Sequence, residues 1–224
     1  TADAAFSMTF DQKADTPLQR RRIEELPSLE SPNPVVSISC RKWSYFQQGN
    51  QEEYEEAVAK CADWLIGEKG ARVIFISTCT GFDGYHTDDR VTAHSIIDRM
   101  IQNETNNPQI VTGEYTPKEL STLYHEVDVH LGTRMHSNIL ALLQDTPVVG
   151  IEYEFKTKEL MRQFDLEDYL VDIDQVSSHS LIAKMDQAIE RKCSLSRDIK
   201  RNLHTVQKRS LRTAELIAEN IEIS

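Results

Sequence analysis

Six short apolar runs, rich in β-branched residues, recur from residue 35 onward: VVSIS (35–39), RVIFIS (72–77), QIVTG (109–113), VDVHLG (127–132), PVVGIE (147–152) and YLVDI (169–173). Between them lie segments of helical length: EEYEEAVAKCADWLIGEK, DDRVTAHSIIDRMIQ, TPKELSTLYHE, RMHSNILALLQ and KTKELMRQF. Nearly continuous apolar strands separated by helices indicate a parallel sheet covered on both faces. The rhythm predicts an α/β fold with a doubly wound, Rossmann-like sheet of six strands. Local signals set the helix ends. Asp88 and Asp89 precede one helix, Thr116-Pro117 supplies the N-cap and first turn of another, and Gly70 closes the helix before RVIFIS. Residues 177–222 read as two more helices, the second long and charged.

Upstream the texture differs. Residues 1–33 carry several prolines, the basic triplet Arg20-Arg21-Arg22 and no sustained apolar period, so they read as a tail and linker ahead of a Rossmann-like domain at 34–176 and C-terminal helices at 177–224. With 224 residues the chain can bury a sizeable core. Its net charge of −11 argues against nucleic acid as a partner, because broad contact with a phosphate backbone needs basic surface. An anionic ligand has to be drawn in by a local cationic pocket. Cys40, Cys61, Cys79 and Cys193 are widely spaced, signalling neither a zinc site nor a disulfide framework, and suit a reducing, cytoplasmic compartment. No run reaches the roughly 20 apolar residues of a membrane span, and no basic-then-apolar leader opens the chain. The chain does not begin with Met, so its natural start is expected elsewhere, which leaves a Golgi-type lumen open. Asn103-Glu104-Thr105 is a glycosylation triplet of a kind common by chance.

In an open parallel sheet, ligands bind beyond the carboxyl ends of the strands. That rule nominates Arg41 after the first strand, Arg134, His136, Ser137 and Asn138 after the fourth, and Glu152, Tyr153 and Lys156 after the fifth. A helix opening near His136 aims its free N–H groups at the same edge. Arginine forks match carboxylate or phosphate, and histidine donates to an anion or exchanges a proton near neutral pH. Together these describe a crevice for a small, multiply charged anion. Each residue also has a plainer reading. Arg41 and Lys156 are compatible with solvated surface, and Arg134 with pairing to Glu152 or to helix carbonyls. His130, inside the fourth strand, reads as structural. His125, His130 and His136, at spacings of five and six, do not share a face, so no metal site is expected. Ile139, Leu140, Leu142 and Leu143 form a core-facing stripe. The missing G-x-G-x-x-G, G-x-x-x-x-G-K-[ST] and G-x-S-x-G motifs weigh against dinucleotide, P-loop and hydrolase readings.

Gly132-x-Arg134-x-His136 running into an apolar helix, followed by DTPVVGIEYEFKTKELMRQFDL (145–166), resembles the C-terminal half of polysaccharide pyruvyl transferases. Pro147, Val148, Val149, Ile151, Tyr153 and Lys156 match the family's P-V-V-x-I-x-Y-x-x-K pattern, and the first strand with Arg41 is similar to its strand-Arg turn. Asp3-x-Ala5-Phe6 resembles the segment closing the family's N-terminal domain. The resemblance implies the C-terminal half of a GT-B-like architecture, with phosphoenolpyruvate as donor substrate and no separate cofactor. The product is a pyruvate ketal on two hydroxyls of a sugar acceptor. It further implies that Arg41, Arg134 and His136 bind the donor, with Arg134 and His136 in catalytic roles, and that an N-terminal domain or partner chain completes the cleft. Two other readings stay open: a glycosyltransferase of the same architecture with a nucleotide-sugar donor, Glu152 and Glu154 holding the ribose, and a non-catalytic anion- or glycan-binding domain.

Overall fold

The computed structural model describes residues 2–8, 29, 31–81, 88–101 and 108–221, with backbone only at 213–214 and 216–221. The basic triplet at 20–22 and the glycosylation triplet at 103–105 lie outside the described residues. Six strands appear where the apolar runs predict them: β1 (Val35–Ser39), β2 (Arg72–Ile76), β3 (Gln109–Val111), β4 (Val129–Gly132), β5 (Val148–Glu152) and β6 (Leu170–Asp172). All pair in parallel, in the order β3-β2-β1-β4-β5-β6. This is the doubly wound Rossmann order, whose winding reverses between β1 and β4. Register matters at that switch point. Ser39 pairs with Gly132 and Gly132 with Gly150. Arg41, Arg134 and Glu152 each follow such a residue by two positions, so the chain brings them out level at one edge of the sheet.

The helices are α1 (Gln51–Gly67), α2 (Asp89–Ile97), α3 (Pro117–His125), α4 (Met135–Leu142), α5 (Phe155–Arg162), α6 (Ser178–Glu190) and α7 (Lys192–Ile221). α1 packs against α2 and α6, while α3 packs on α4 and α4 on α5. Side chains cap the starts of α1, α2, α3 and α6: Asn50, Asp88, Thr116 (in a capping box with Glu119) and Ser177. Gly70 follows α1 in the left-handed region at φ 60°. Beyond α4 and α5 the same conformation falls to Asp145 and Asp165, at 58° and 57°.

The four inner strands β2, β1, β4 and β5 are buried over most of their length, as the continuous apolar runs require, while the edge strands β3 and β6 each bury one residue of three. The first residues belong to the same body. Asp3 caps a 3-10 turn at Ala4–Ser7, Phe6 is fully buried with its ring 5.5 Å from that of Phe164, and Ser210 on α7 donates to the Asp3 carbonyl at 2.9 Å. No described helix is long and apolar enough to cross a membrane.

Candidate functional site

At the carboxyl edge of the sheet lies a cleft of about 520 Å³. Arg134, Met135 and His136 line it from the start of α4, Tyr153, Glu154, Lys156 and Thr157 from the start of α5, and Thr78 and Cys79 from the loop after β2. Ala5, Met8, Tyr115 and Pro117 close the far side. Two helices begin here, and they differ from the capped ones. Arg134 and Glu154 occupy the N-cap positions of α4 and α5, and neither start has a side-chain cap. An uncapped helix start presents backbone N–H donors and positive partial charge. With Arg134, His136 and Lys156 beside them, the cleft suits an anion despite the chain's negative net charge.

Arg134 is only partly a free cation. Its Nε donates to both Asp89 carboxylate oxygens at 3.0 and 3.1 Å, and its Nη2 to one of them at 2.5 Å. Asp89, the first residue of α2, is 1% exposed. Burial pushes its carboxyl above the ordinary range, opposed by the guanidinium's hydrogen bonds and charge. Burial works against the Arg134 proton too, but the carboxylate outweighs it and Arg134 holds its proton more tightly than usual. The pair answers the question of what Arg134 pairs with: Asp89, not Glu152. Asp89 is the site residue that sequence reasoning passed over. In sequence it is a second acid at a helix start on the ligand edge, a pattern that reads as a start signal alone.

Arg41 is held differently. Its guanidinium carbon sits 4.2 Å over the Tyr153 ring and 4.9 Å over that of Trp43, with the two rings 4.6 Å apart. Its backbone N–H donates to the Tyr54 hydroxyl at 3.4 Å, and that hydroxyl bonds Thr133 Oγ1 at 2.9 Å. One buried tyrosine on α1 thus ties the loop after β1 to the loop after β4. His136 and Lys156 are exposed at the second positions of their helices.

Four of the nominated residues lie outside the cleft lining: Arg41, Ser137, Asn138 and Glu152. Ser137 and Asn138 are fully buried and do not line the cleft. Ser137 Oγ bonds Ser39 Oγ at 2.5 Å, His130 Nε2 at 3.1 Å and the Arg134 carbonyl at 2.7 Å, so its hydroxyl is spent inside the protein. Asn138 turns its Nδ2 to the Gly132 carbonyl. Helical periodicity explains both: one turn into α4, positions 137 and 138 face the sheet while 136 faces solvent. Glu152 ends β5 outside the cleft lining, its carboxyl pushed up by burial and by the Asp172 charge, against the opposing pull of Lys158.

Beneath α4 lies the polar cluster that fixes its start. His130 is fully buried on β4, with Nδ1 2.7 Å from Ser37 Oγ and Nε2 near Ser137 and Ser39. It is structural, as the sequence reading has it. Gly132 has no room for a side chain here: a Cβ would meet Asn138 Oδ1 at 1.6 Å and His130 Nε2 at 2.7 Å. Gly132→Ala is therefore expected to cost about 1–3 kcal/mol by overpacking, read as a lowered urea midpoint. Unchanged stability would show that Asn138 simply rotates away. Burial also raises the Cys79 thiol, which keeps this cleft residue in its neutral form. Among the described residues no group of three or more His, Cys, Asp or Glu is placed to hold a metal ion.

The sheet order defines a Rossmann-like unit with a cleft at its switch point. Comparison with known proteins fits that class. A putative UDP-N-acetylglucosamine 2-epimerase from Listeria monocytogenes superposes with a TM-score of 0.58 at 10% identity, covering 99% of this chain and 52% of that one. The C-terminal domain of a group 1 glycosyltransferase from Francisella tularensis gives 0.52 at 12% identity, covering 92% and 96%. At such identities these establish the fold alone. Sequence goes further. Residues 1–154 match the family described as polysaccharide pyruvyl transferase. The amylovoran biosynthesis protein AmsJ of Erwinia amylovora is 33% identical over 159 residues, covering 70% of this chain and 38% of that protein. The chain belongs to the polysaccharide pyruvyl transferase family, a family of transferases. It spans well under half the length of this relative.

Proposed function

We propose that the chain is the donor-binding half of an enzyme that transfers a pyruvyl group from phosphoenolpyruvate to two hydroxyls of a glycan. The AmsJ relative, named for amylovoran biosynthesis, makes a polysaccharide under construction the natural class of acceptor. One observation carries the reading: Arg134, His136 and Lys156 share a cleft with two uncapped helix starts. Phosphoenolpyruvate is a small molecule with a carboxylate and a phosphate, and needs that many donors.

In the reaction, C2 of the donor gains two bonds to sugar oxygens and loses its bond to the phosphate oxygen. C3 takes up a proton to become a methyl group, and inorganic phosphate leaves with the other hydroxyl proton. Charge gathers on the departing phosphate. Arg134 and the N–H groups of α4 and α5 are the groups on hand to stabilise it. His136, exposed at the second position of α4, is the group suited to passing a proton.

Saturating phosphoenolpyruvate, at about 100 times its dissociation constant, is expected to stabilise the chain by about 2.7 kcal/mol, a rise of roughly 5–10 °C in melting temperature. UDP and GDP should leave it unmoved. Arg134→Ala and the surface variant His136→Ala should each shrink the rise. A shift with UDP and none with phosphoenolpyruvate would instead favour a nucleotide-sugar donor. For turnover, the full-length protein with phosphoenolpyruvate and candidate glycosides should release phosphate and yield a ketal mass gain by liquid chromatography.

A further inference from the structure

The two arginines at the switch point are held by opposite means, and this divides their work. Arg134 has its Nε–Nη2 edge closed by the Asp89 carboxylate. A guanidinium makes its two-pronged contact with an oxyanion along such an edge or across its Nη1–Nη2 end, so Arg134 keeps that end for a ligand. Arg41 pairs with no carboxylate among the described residues. Its one described side-chain hydrogen bond is a long one, from Nε to the Lys42 carbonyl at 3.4 Å. What holds it is the faces of Tyr153 and Trp43. Stacking occupies the π surface of the guanidinium and leaves the N–H groups at its rim open.

The support for this stack is rigid. Gln51, the first residue of α1, accepts from the Trp43 backbone N–H at 2.8 Å and donates to the Arg41 carbonyl at 3.2 Å. Tyr54 takes the Arg41 backbone N–H. Tyr153 leaves β5 at the mouth of the cleft and is itself a lining residue. The ring that carries Arg41 is thus also the wall of the anion site. Arg41 lies close enough to act electrostatically on both Cys79 and Asp89.

We propose that Tyr153 and Trp43 are positioning residues that present Arg41, beside the cleft that Tyr153 lines, as a two-pronged fork for a carboxylate or phosphate bound there. The proposal rests on the donor-binding reading above. An arginine held by a carboxylate gives part of its charge to that partner; Arg41, held by rings and a carbonyl, keeps its charge uncompensated and its Nη1–Nη2 end open.

The test is calorimetric titration of the 224-residue chain with phosphoenolpyruvate, alongside ligand-free melts of every variant. Tyr153→Leu is expected to weaken binding about tenfold, while Tyr153→Phe, which keeps the π face, stays within about twofold. Arg41→Lys, which keeps the charge but not the fork, should lose most of what Arg41→Ala loses. The deciding measurement is the double variant. If Tyr153 acts through Arg41, then Tyr153→Leu adds nothing in an Arg41→Ala background. Equal weakening in both backgrounds, or binding by Tyr153→Leu as tight as wild type, overturns the positioning role. Should Tyr153→Leu melt below the assay temperature, Trp43→Leu against Trp43→Phe gives the same comparison from the other ring. Wild type that gives neither heat nor thermal shift overturns the donor reading itself. Wild-type binding that ignores the aromatic variants removes only this inference.

Discussion

Asp89→Ala is expected to destabilise the fold by about 3–5 kcal/mol and to abolish the phosphoenolpyruvate-induced thermal shift, although Asp89 touches no ligand. The stability loss follows from what remains behind. Arg134 is 15% exposed, stays charged at any working pH, and would be left in a partly buried site without its partner. Breaking a buried pair from one side costs about that much, because the orphaned charge has neither water nor counter-ion. The pair itself is not a source of great stability, since burial already raises the Asp89 carboxyl against the pull of Arg134. Its value is geometric. Asp89 opens α2 on one side of the switch point and Arg134 precedes α4 on the other, so the bond fixes the guanidinium across the base of the cleft. Asp89→Asn, which keeps one acceptor oxygen, should recover part of the stability but not the full affinity. Urea midpoints and melts with and without phosphoenolpyruvate read both effects. Wild-type stability in Asp89→Ala would mean that Arg134 reaches solvent freely and that the pair does no positioning.

That partnership marks the limit of what a linear reading can see. The sheet was legible because its determinant is local: each strand buried on both faces must be written as an unbroken apolar run, and VVSIS or PVVGIE admits few other interpretations. Helix ends were equally legible where a side chain performs the cap, as at Asp88 and Thr116. They were less so where Asp145 and Asp165 take the left-handed conformation usually left to glycine. The ligand edge followed from the parallel βα rhythm, which puts the site beyond the carboxyl ends of the strands, and Arg41, Arg134, His136, Tyr153 and Lys156 sit along that edge. Contacts across the switch point carry no such local trace. Asp89 meets Arg134 across 45 residues of sequence, and Tyr54 reaches Thr133 across 79. Ser137 and Asn138 lie outside the cleft for a different reason: they are next to His136 in sequence, but a helix turns about 100° per residue and carries them to the buried face. Trp43, two residues past Arg41, was passed over because an aromatic beside a loop arginine becomes informative only once Tyr153 is known to arrive from β5.

A large acid-side pH effect should come from His130. Burial holds its imidazole neutral, pushing the folded-state value from 6.5 down to about 3. The direction is set by desolvation, and the serines around it satisfy a neutral ring in either tautomer, because hydroxyls donate and accept alike. The sign follows from proton binding. Between pH 6.5 and 3 the unfolded chain takes up a proton on this histidine that the folded chain refuses. Stability is therefore complete above about pH 6.5 and falls with acid by roughly 1.4 kcal/mol per pH unit, reaching on the order of 5 kcal/mol by pH 3. Other groups titrate in the same range, so the measurement is a difference. Between pH 7 and pH 5, wild type should lose about 2 kcal/mol more in urea unfolding than His130→Gln, whose amide cannot take the proton. His130→Gln is itself expected to be less stable at pH 7, since it leaves part of the Ser37, Ser39 and Ser137 cluster unpaired. The two stability curves should then converge as the pH falls. Parallel curves would show that His130 is protonated in the folded state with its serines rearranged around it. In that case the start of α4, which Ser137 ties to this ring, would have to tolerate a charge beneath the very arginine that faces the cleft.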